Sequence, residues 1–235
     1  MIEICTIPKD LFKIFFDWPM TLQKNGLNLN VDDNIWYCIS NTSNTSMIRG
    51  KLNVPVKSKV VLSVDPSKLL KSATTDITFF MEDNVLIYKT ANGEHRINTL
   101  VDPKIQTRTL PPNVVYPITI ELKRNNLNDL TEEVLKVVGS KKDSNDDYIL
   151  FIYNDKKLTV SNSDVDDKHL YNFPDEYSLE GSYKSEFSID LITEIMKYYK
   201  EFETCLVSMG TNIPIKFEFK NELVEFTTIA APRIN

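Results

Sequence analysis

The sequence contains one succession of predicted elements twice: a strand, a helix, several strands, a short helix and three strands. The second copy follows the first at an offset of 116 residues (127 − 11), which superposes Leu11 on Leu127 and Ile14 on Leu130. Self-similarity on this scale indicates duplication. We therefore predict that the chain folds as two copies of one domain.

A segment rich in proline separates the two copies. Residues 101–117 show neither helical nor alternating periodicity, which is typical of an extended crossing segment. The segment contains Pro103, Pro111, Pro112 and Pro117. We predict a first domain over residues 1–100, a connector over 101–117 and a second domain over 118–235.

Four segments have the residue pattern of helices. The first begins at Pro8 with apolar residues at helical spacing, and Pro19 is expected to end or kink it because proline lacks an amide hydrogen. The others span residues 67–73, 126–138 and 189–199. Strands are predicted at residues 1–7, 27–31, 35–39, 47–54, 59–64, 77–81, 85–90, 94–100, 118–123, 148–153, 157–161, 169–173, 183–187, 204–209, 214–219 and 223–229.

Composition narrows the class of protein. With 235 residues and 42% hydrophobic residues the chain is an ordinary globular one, and its net charge of −6 excludes a uniformly basic nucleic-acid coat. The chain has three cysteines, Cys5, Cys38 and Cys205, and they form no CxxC motif. An odd number argues against a framework of disulfides, which favours a reducing compartment. We find no signal-peptide pattern and no membrane-length apolar run, so we expect an intracellular, soluble protein.

The sequence lacks the common motifs of catalysis. Phosphate-binding loops, dinucleotide-binding turns, zincin motifs and nucleophile elbows are all absent. His95 and His169 fall in predicted strands of different halves, which favours a structural role over a general base. The acidic run at Asp164, Asp166 and Asp167 lacks the glycine and distal glutamate of a calcium loop. We therefore expect no catalytic residues, no metal site and no cofactor.

Basic residues concentrate on the predicted helices. Their spacing of three or four residues places each pair on one helix face, where a single pair is usually no more than a solvated surface. Repetition on several helices favours one surface that contacts phosphates without reading bases. These residues are Lys9, Lys13, Lys68, Lys71, Lys136, Lys197 and Lys200.

The C-terminal sequence resembles the end of the archaeal and eukaryotic DNA sliding clamps, the proliferating cell nuclear antigen (PCNA) family. The similar segments are Met209-Gly-Thr-Asn-Ile-Pro-Ile-Lys-Phe-Glu-Phe and Phe226-Thr-Thr-Ile-Ala-Ala-Pro-Arg-Ile, of which the terminal Ala-Pro-Arg-Ile is the most specific. Val64-Asp-Pro-Ser-Lys-Leu-Leu-Lys is similar to the second helix of the family, and Gly181-Ser-Tyr to the lead-in of the fourth. With the duplicated order and the connector, the resemblance extends over the whole chain.

This resemblance implies an α+β fold with two similar domains per subunit, helices lining a channel and antiparallel sheets outside. It implies a non-enzymatic processivity factor that encircles duplex DNA as a head-to-tail ring of three subunits. The expected partners are DNA polymerase, the clamp loader, flap endonuclease and ligase. The expected location is on DNA, in the nucleoid or the nucleus. Edge strands near residues 94–100 and 168–173 would pair between subunits.

The resemblance also implies a role for individual residues. The lysines named above match channel positions, although Asp129, Glu132 and Glu133 place acid on the third helix. Short hydrophobic motifs of partners would bind a pocket formed by Met47, Leu110, Pro214, Ile229, Ala231, Pro232 and Ile234.

Three departures bear on partner binding. Residues 40–46 are polar where the family has apolar pocket wall, the connector carries Lys104 and Arg108 where acid is common, and Ile229 replaces an aromatic residue.

Three alternatives stay open on the sequence alone. The chain could be one subunit of a heterotrimeric clamp or a damage-checkpoint ring. It could also be an α+β enzyme whose active site is assembled without a recognisable motif.

Overall fold

The structure is a computed structural model. It describes residues 1–22, 26–40, 46–69, 74–100, 114–135, 148–162, 170–174, 176–197 and 199–233. These residues divide into two compact units: the first draws on residues 1–110 and 221–226, the second on residues 111–220 and 227–235. Most of the predicted connector, residues 101–113, lies outside the described residues.

The first unit contains one α-helix, one 3₁₀ turn and two antiparallel sheets. Its elements are β1 (Ile2–Ile7), α1 (Lys9–Leu22), β2 (Leu27–Val31), β3 (Ile35–Ser40), β4 (Ser46–Leu52), β5 (Val60–Val64), the 3₁₀ turn Pro66–Lys68, β6 (Ile77–Glu82), β7 (Val85–Thr90) and β8 (Gly93–Asn98). One sheet has the strand order β1-β6-β7-β8, and the other has the order β5-β2-β3-β4.

The second unit repeats this plan. Its elements are β9 (Ile118–Lys123), α2 (Arg124–Asp129), the π-helical segment Leu130–Leu135, β10 (Tyr148–Asn154), β11 (Lys157–Asn162), β12 (Leu170–Asn172), β13 (Tyr183–Ser188), α3 (Ile189–Met196), the 3₁₀ turn Tyr199–Glu201, β14 (Thr204–Met209), β15 (Ile215–Lys220) and β16 (Val224–Ala230). Its strand orders, β13-β10-β11-β12 and β9-β14-β15-β16, match those of the first unit strand for strand. The predicted duplication and α+β class are confirmed.

Each core forms where a helix packs on the buried faces of two sheets. In the first unit Phe16 of α1, Phe79 of β6 and Leu29 of β2 line one small apolar cavity, and all three are buried. In the second unit the rings of Phe151, Phe187 and Phe217 meet edge to face, with centroid distances of 5.8 and 6.3 Å. Each fully buried side chain of this size stabilises its unit by about 1.5–3 kcal/mol.

The expected effect of Pro19 is wrong in one respect, since α1 continues through it to Leu22. Proline at this position cannot donate a hydrogen bond to the carbonyl of Phe15, four residues earlier. The hydroxyl of Tyr37 in β3 donates to that carbonyl at 2.9 Å instead. A side chain from the sheet thus satisfies the backbone acceptor that proline leaves open, and the helix is not ended.

The predicted helices of the second unit differ from the observed ones. Helix α2 begins at Arg124 and changes to π-helical geometry at Leu130, and residues 136–138 of the predicted 126–138 helix lie outside the described residues. A π-helix forms hydrogen bonds between residues five apart, and the buried Leu130 and Leu135 begin and end this segment. Thr131 Oγ1 also donates to the Leu127 carbonyl at 2.8 Å, competing with the regular helical bond.

The predicted helix over residues 189–199 is also shorter in the structure. Helix α3 ends at Met196, and Tyr199 begins a separate 3₁₀ turn. Of the predicted 67–73 helix the structure contains the 3₁₀ turn at Pro66–Lys68, and residues 70–73 lie outside the described residues.

Candidate DNA and partner interfaces

Three of the predicted channel lysines lie on the helical side of the first unit. Lys9 and Lys13 are exposed one turn apart on α1, and Lys68 is exposed in the 3₁₀ turn that packs against α1. Asp65 orders this turn because its carboxylate accepts hydrogen bonds from the amide and hydroxyl of Ser67, at 3.0 and 2.6 Å. These hydrogen bonds lower the pKa of Asp65. The predicted Lys71 lies outside the described residues.

Two predicted lysines of the second unit are paired with carboxylates. The ammonium of Lys197 lies 2.5 Å from Glu194 of α3, and that of Lys200 lies 3.6 Å from Glu132 in the π-helical segment. The Lys200 ammonium also lies 5.7 Å from the centroid of the Tyr199 ring. Lys136 lies outside the described residues. An ion-paired lysine adds little net positive charge to a surface, so these two attract phosphate less than an unpaired lysine would.

Acidic residues also interrupt the basic surface of the first unit. Asp10 and Asp17 share α1 with Lys9 and Lys13. Burial raises the pKa of the Asp17 carboxyl, while the nearby Lys13 ammonium opposes that rise. Among the described residues, however, no carboxylate lies within 4 Å of the ammonium groups of Lys13 and Lys68. In the described part of the chain, Lys197 and Lys200 of the second unit therefore have close carboxylate partners, whereas Lys13 and Lys68 of the first unit do not.

The predicted partner-pocket residues are found in both units. In the first, Met47 is half-buried on β4, facing away from the core. In the second, Ile229 of β16 is 8% exposed, whereas Pro214 before β15 and Ala231 and Pro232 after β16 are half-buried. Leu110 and Ile234 lie outside the described residues.

Two residues beside the predicted pocket positions were missed by sequence reasoning. The guanidinium carbon of Arg233 lies 4.8 Å from the centroid of the Tyr148 ring, and the amide of Arg233 donates to the carbonyl of Glu186 at 2.8 Å. The Ala-Pro-Arg motif already contained Arg233. No pattern linked it to Tyr148, because the two are far apart in sequence.

Strands β8 and β12 each lie at the end of a sheet, without a further described strand beside them. Charged residues occupy β8: Arg96 pairs with Glu82 and, at 3.2 Å, with Glu94. The Lys89 hydrogen bond lowers the pKa of Glu94, and the ring of His95 stacks on Tyr88 at 4.9 Å. On β12, Leu170 is 50% exposed. Charges such as those on β8 discourage unspecific pairing of an open edge.

Among the described residues, no group of three His, Cys, Asp or Glu side chains is placed to hold a metal ion. No helix in the described part of the chain is long and apolar enough to cross a membrane.

The duplicated two-sheet units with one helical side define the fold class of the DNA sliding clamps, and comparison with solved structures agrees. The chain is similar to the PCNA of A. fulgidus, in a structure with the C-terminal region of FEN-1 bound. That match has 15% identity and a TM-score of 0.85, and it covers 100% of this chain and 99% of that one. PCNA from Entamoeba histolytica matches at 15% identity and a TM-score of 0.76, covering 99% of both chains.

A third similar structure is the PCNA2–PCNA3 complex of Sulfolobus tokodaii, at 14% identity and a TM-score of 0.71, covering 98% of this chain and 99% of that one. No protein-family model and no curated protein sequence matches. The chain has the PCNA fold over its whole length, and the expected fold is confirmed.

Proposed function

We propose that this chain is a non-enzymatic DNA sliding clamp subunit, which encircles duplex DNA and tethers replication and repair enzymes to it. The observation that carries the proposal is the full-length PCNA fold, at a TM-score of 0.85 over 100% of the chain. Such a protein acts by enclosure, which needs no catalytic group.

The duplication supports a ring of three copies. In the first unit the beginning of β16 lies beside β4, and Asn53 donates to the Leu223 carbonyl at 2.7 Å. The strands equivalent to β4 and β16 are β12 and β8, both at open edges in the described residues. We propose that β8 of one copy pairs with β12 of the next, in the way that residues 221–226 lie along β4 inside the first unit. Such head-to-tail contacts close into a ring when the rotation permits.

In this proposal the helical sides of both units face DNA. Lys9, Lys13 and Lys68 contact phosphates from the first unit, together with Lys71. Lys197 and Lys200 contribute from the second, with Lys136. Contacts of ammonium groups with phosphates carry no base sequence information, which suits a clamp that slides.

The proposed partners are DNA polymerase, a clamp loader, flap endonuclease and ligase. The PCNA of A. fulgidus is similar to this chain and is seen with the C-terminal region of FEN-1. We propose that short hydrophobic motifs of such enzymes bind at Met47, Leu110 and the C-terminal residues Pro214, Ile229, Ala231, Pro232 and Ile234.

A charge-reversal experiment tests the DNA interface. We expect Lys13→Glu with Lys68→Glu to weaken binding to a short fluorescent duplex, measured by anisotropy at low salt. The loss should be about fivefold or more for each lysine, from the lost Coulomb attraction alone. Lys184→Glu, on the exposed face of β13, is the matched control and should change little. Equal effects of the control and of the double variant would contradict the proposed interface.

A second candidate is a subunit of a heteromeric clamp. The PCNA2–PCNA3 complex of Sulfolobus tokodaii, which has this fold, contains two different chains. A heteromeric subunit would stay small when purified alone and would enlarge when its partner chains are added, so the mass of the assembly separates the two candidates.

A further inference from the structure

The segment after β16 is fixed to the second unit through Arg233. The Arg233 amide donates to the Glu186 carbonyl of β13 at 2.8 Å, and its guanidinium carbon lies 4.8 Å from the centroid of the Tyr148 ring in β10. Strands β10 and β13 are neighbours, with Tyr148 opposite Ser188. A backbone contact and a side-chain contact of one residue thus anchor the segment to two adjacent strands.

This anchor lies next to residues that the proposed function places at the partner site. Ala231 and Pro232 immediately precede Arg233 and are half-buried. Pro232 has no amide hydrogen, so it cannot fix its own position through a backbone donor. Strand β13 ends its sheet in the described part of the chain, and its open edge supplies the acceptor that Arg233 uses.

We propose that Arg233, with Tyr148, is a positioning residue that holds Ala231 and Pro232 in the conformation that binds the hydrophobic motif of a partner enzyme. This inference rests on the proposed function. A pocket wall that is already ordered costs less conformational entropy on binding than one that must be ordered by the ligand. Loss of the Arg233–Tyr148 contact therefore weakens partner binding even though neither side chain need touch the partner.

The test measures binding of a synthetic peptide from the C-terminal region of the A. fulgidus FEN-1 to the assembled protein. Arg233→Ala and Tyr148→Leu should each weaken binding by about two- to fivefold, the range for an exposed cation–π pair. The double variant should be no weaker than either single one, because both remove the same interaction. Arg233→Lys and Tyr148→Phe keep a cation and a ring and should bind nearly as the wild type does.

Two controls separate positioning from general damage. Lys184→Ala removes a neighbouring positive charge on β13 and should leave peptide affinity unchanged. The urea midpoint of Arg233→Ala should fall only slightly, and no more than that of Tyr148→Leu, since Arg233 lies on the surface and loses one exposed cation–π pair.

Failure of this inference differs from failure of the proposed function. The inference is overturned if wild type binds the peptide and Arg233→Ala binds it equally well. It is also overturned if Arg233→Lys is as weak as Arg233→Ala, or if the two single effects multiply in the double variant. If the wild type itself does not bind the peptide, the proposed partner site is contradicted, and this inference falls with it.

Discussion

At the scale of single residues, Tyr37 compensates for a hydrogen bond that Pro19 cannot make. Its hydroxyl donates to the Phe15 carbonyl inside the first unit, and its ring lies over Gly50 on the facing strand. A Cβ at Gly50 would lie 2.5 Å from the Tyr37 ring, so the glycine makes room for the tyrosine. Tyr37 and Gly50, both distant from Pro19 in sequence, therefore allow α1 to pass through a proline.

Removal of the Tyr37 hydroxyl tests this account. We expect Tyr37→Phe to lower the free energy of unfolding by about 1–3 kcal/mol, because the buried Phe15 carbonyl loses its donor. Urea denaturation measures the change. Tyr88→Phe is the control, since its hydroxyl makes a longer, 3.3 Å bond to the Lys68 carbonyl, and it should cost less. Equal losses in the two variants would contradict the compensation.

The carboxyl of Asp17 makes stability depend on pH. Burial raises its pKa in the folded state, so the ionised form disfavours folding at neutral pH, and this penalty disappears as the pH falls through the raised pKa. We therefore expect Asp17→Asn to raise the urea midpoint at neutral pH. The gain should shrink on acidification. A gain that is constant with pH would exclude the carboxyl as its cause.

At the scale of elements, the two open edges are the features that the proposed ring needs. Directly after β8 the amide of Thr99 donates to the Asn84 carbonyl, and the hairpin of β7 and β8 closes at Thr90 and Gly93. Antiparallel pairing alternates, so the amides of Glu94, Arg96 and Asn98 point away from β7. No described residue accepts a hydrogen bond from these amides, which the proposed ring would pair with β12 of another copy.

A proline in β8 tests that pairing. Arg96→Pro removes one outward amide while keeping the bonds to β7, and edge strands tolerate proline. We expect it to reduce the assembly to a monomer of 27.1 kDa, measured by light scattering. Arg96→Ala removes the same side chain but keeps the amide, and it should stay assembled. Assembly of Arg96→Pro at the wild-type mass would show that β8 does not form the contact.

At the scale of the whole molecule, the sequence predicted what depends on local pattern. The first and last residues of β7, β9 and β14 match the predicted ones, because turn residues clearly mark the ends of these apolar segments. The π-helical segment was not predicted, since hydrogen bonds between residues five apart fit neither the helical period of 3.6 nor the strand period of 2. The ion pair between Lys200 and Glu132 and the contact between Arg233 and Tyr148 were also missed. Both join residues from separate elements, which only the folded chain brings together.

The mass of the assembled protein tests the central claim, that this chain forms a closed ring, most directly. Light scattering on a size-exclusion column should give three times 27.1 kDa, or about 81 kDa, for a ring of three copies. The mass should stay constant on dilution in the micromolar range, because a closed ring has no open end at which to add or lose subunits. A mass of 27.1 kDa at every concentration would contradict the self-assembled ring.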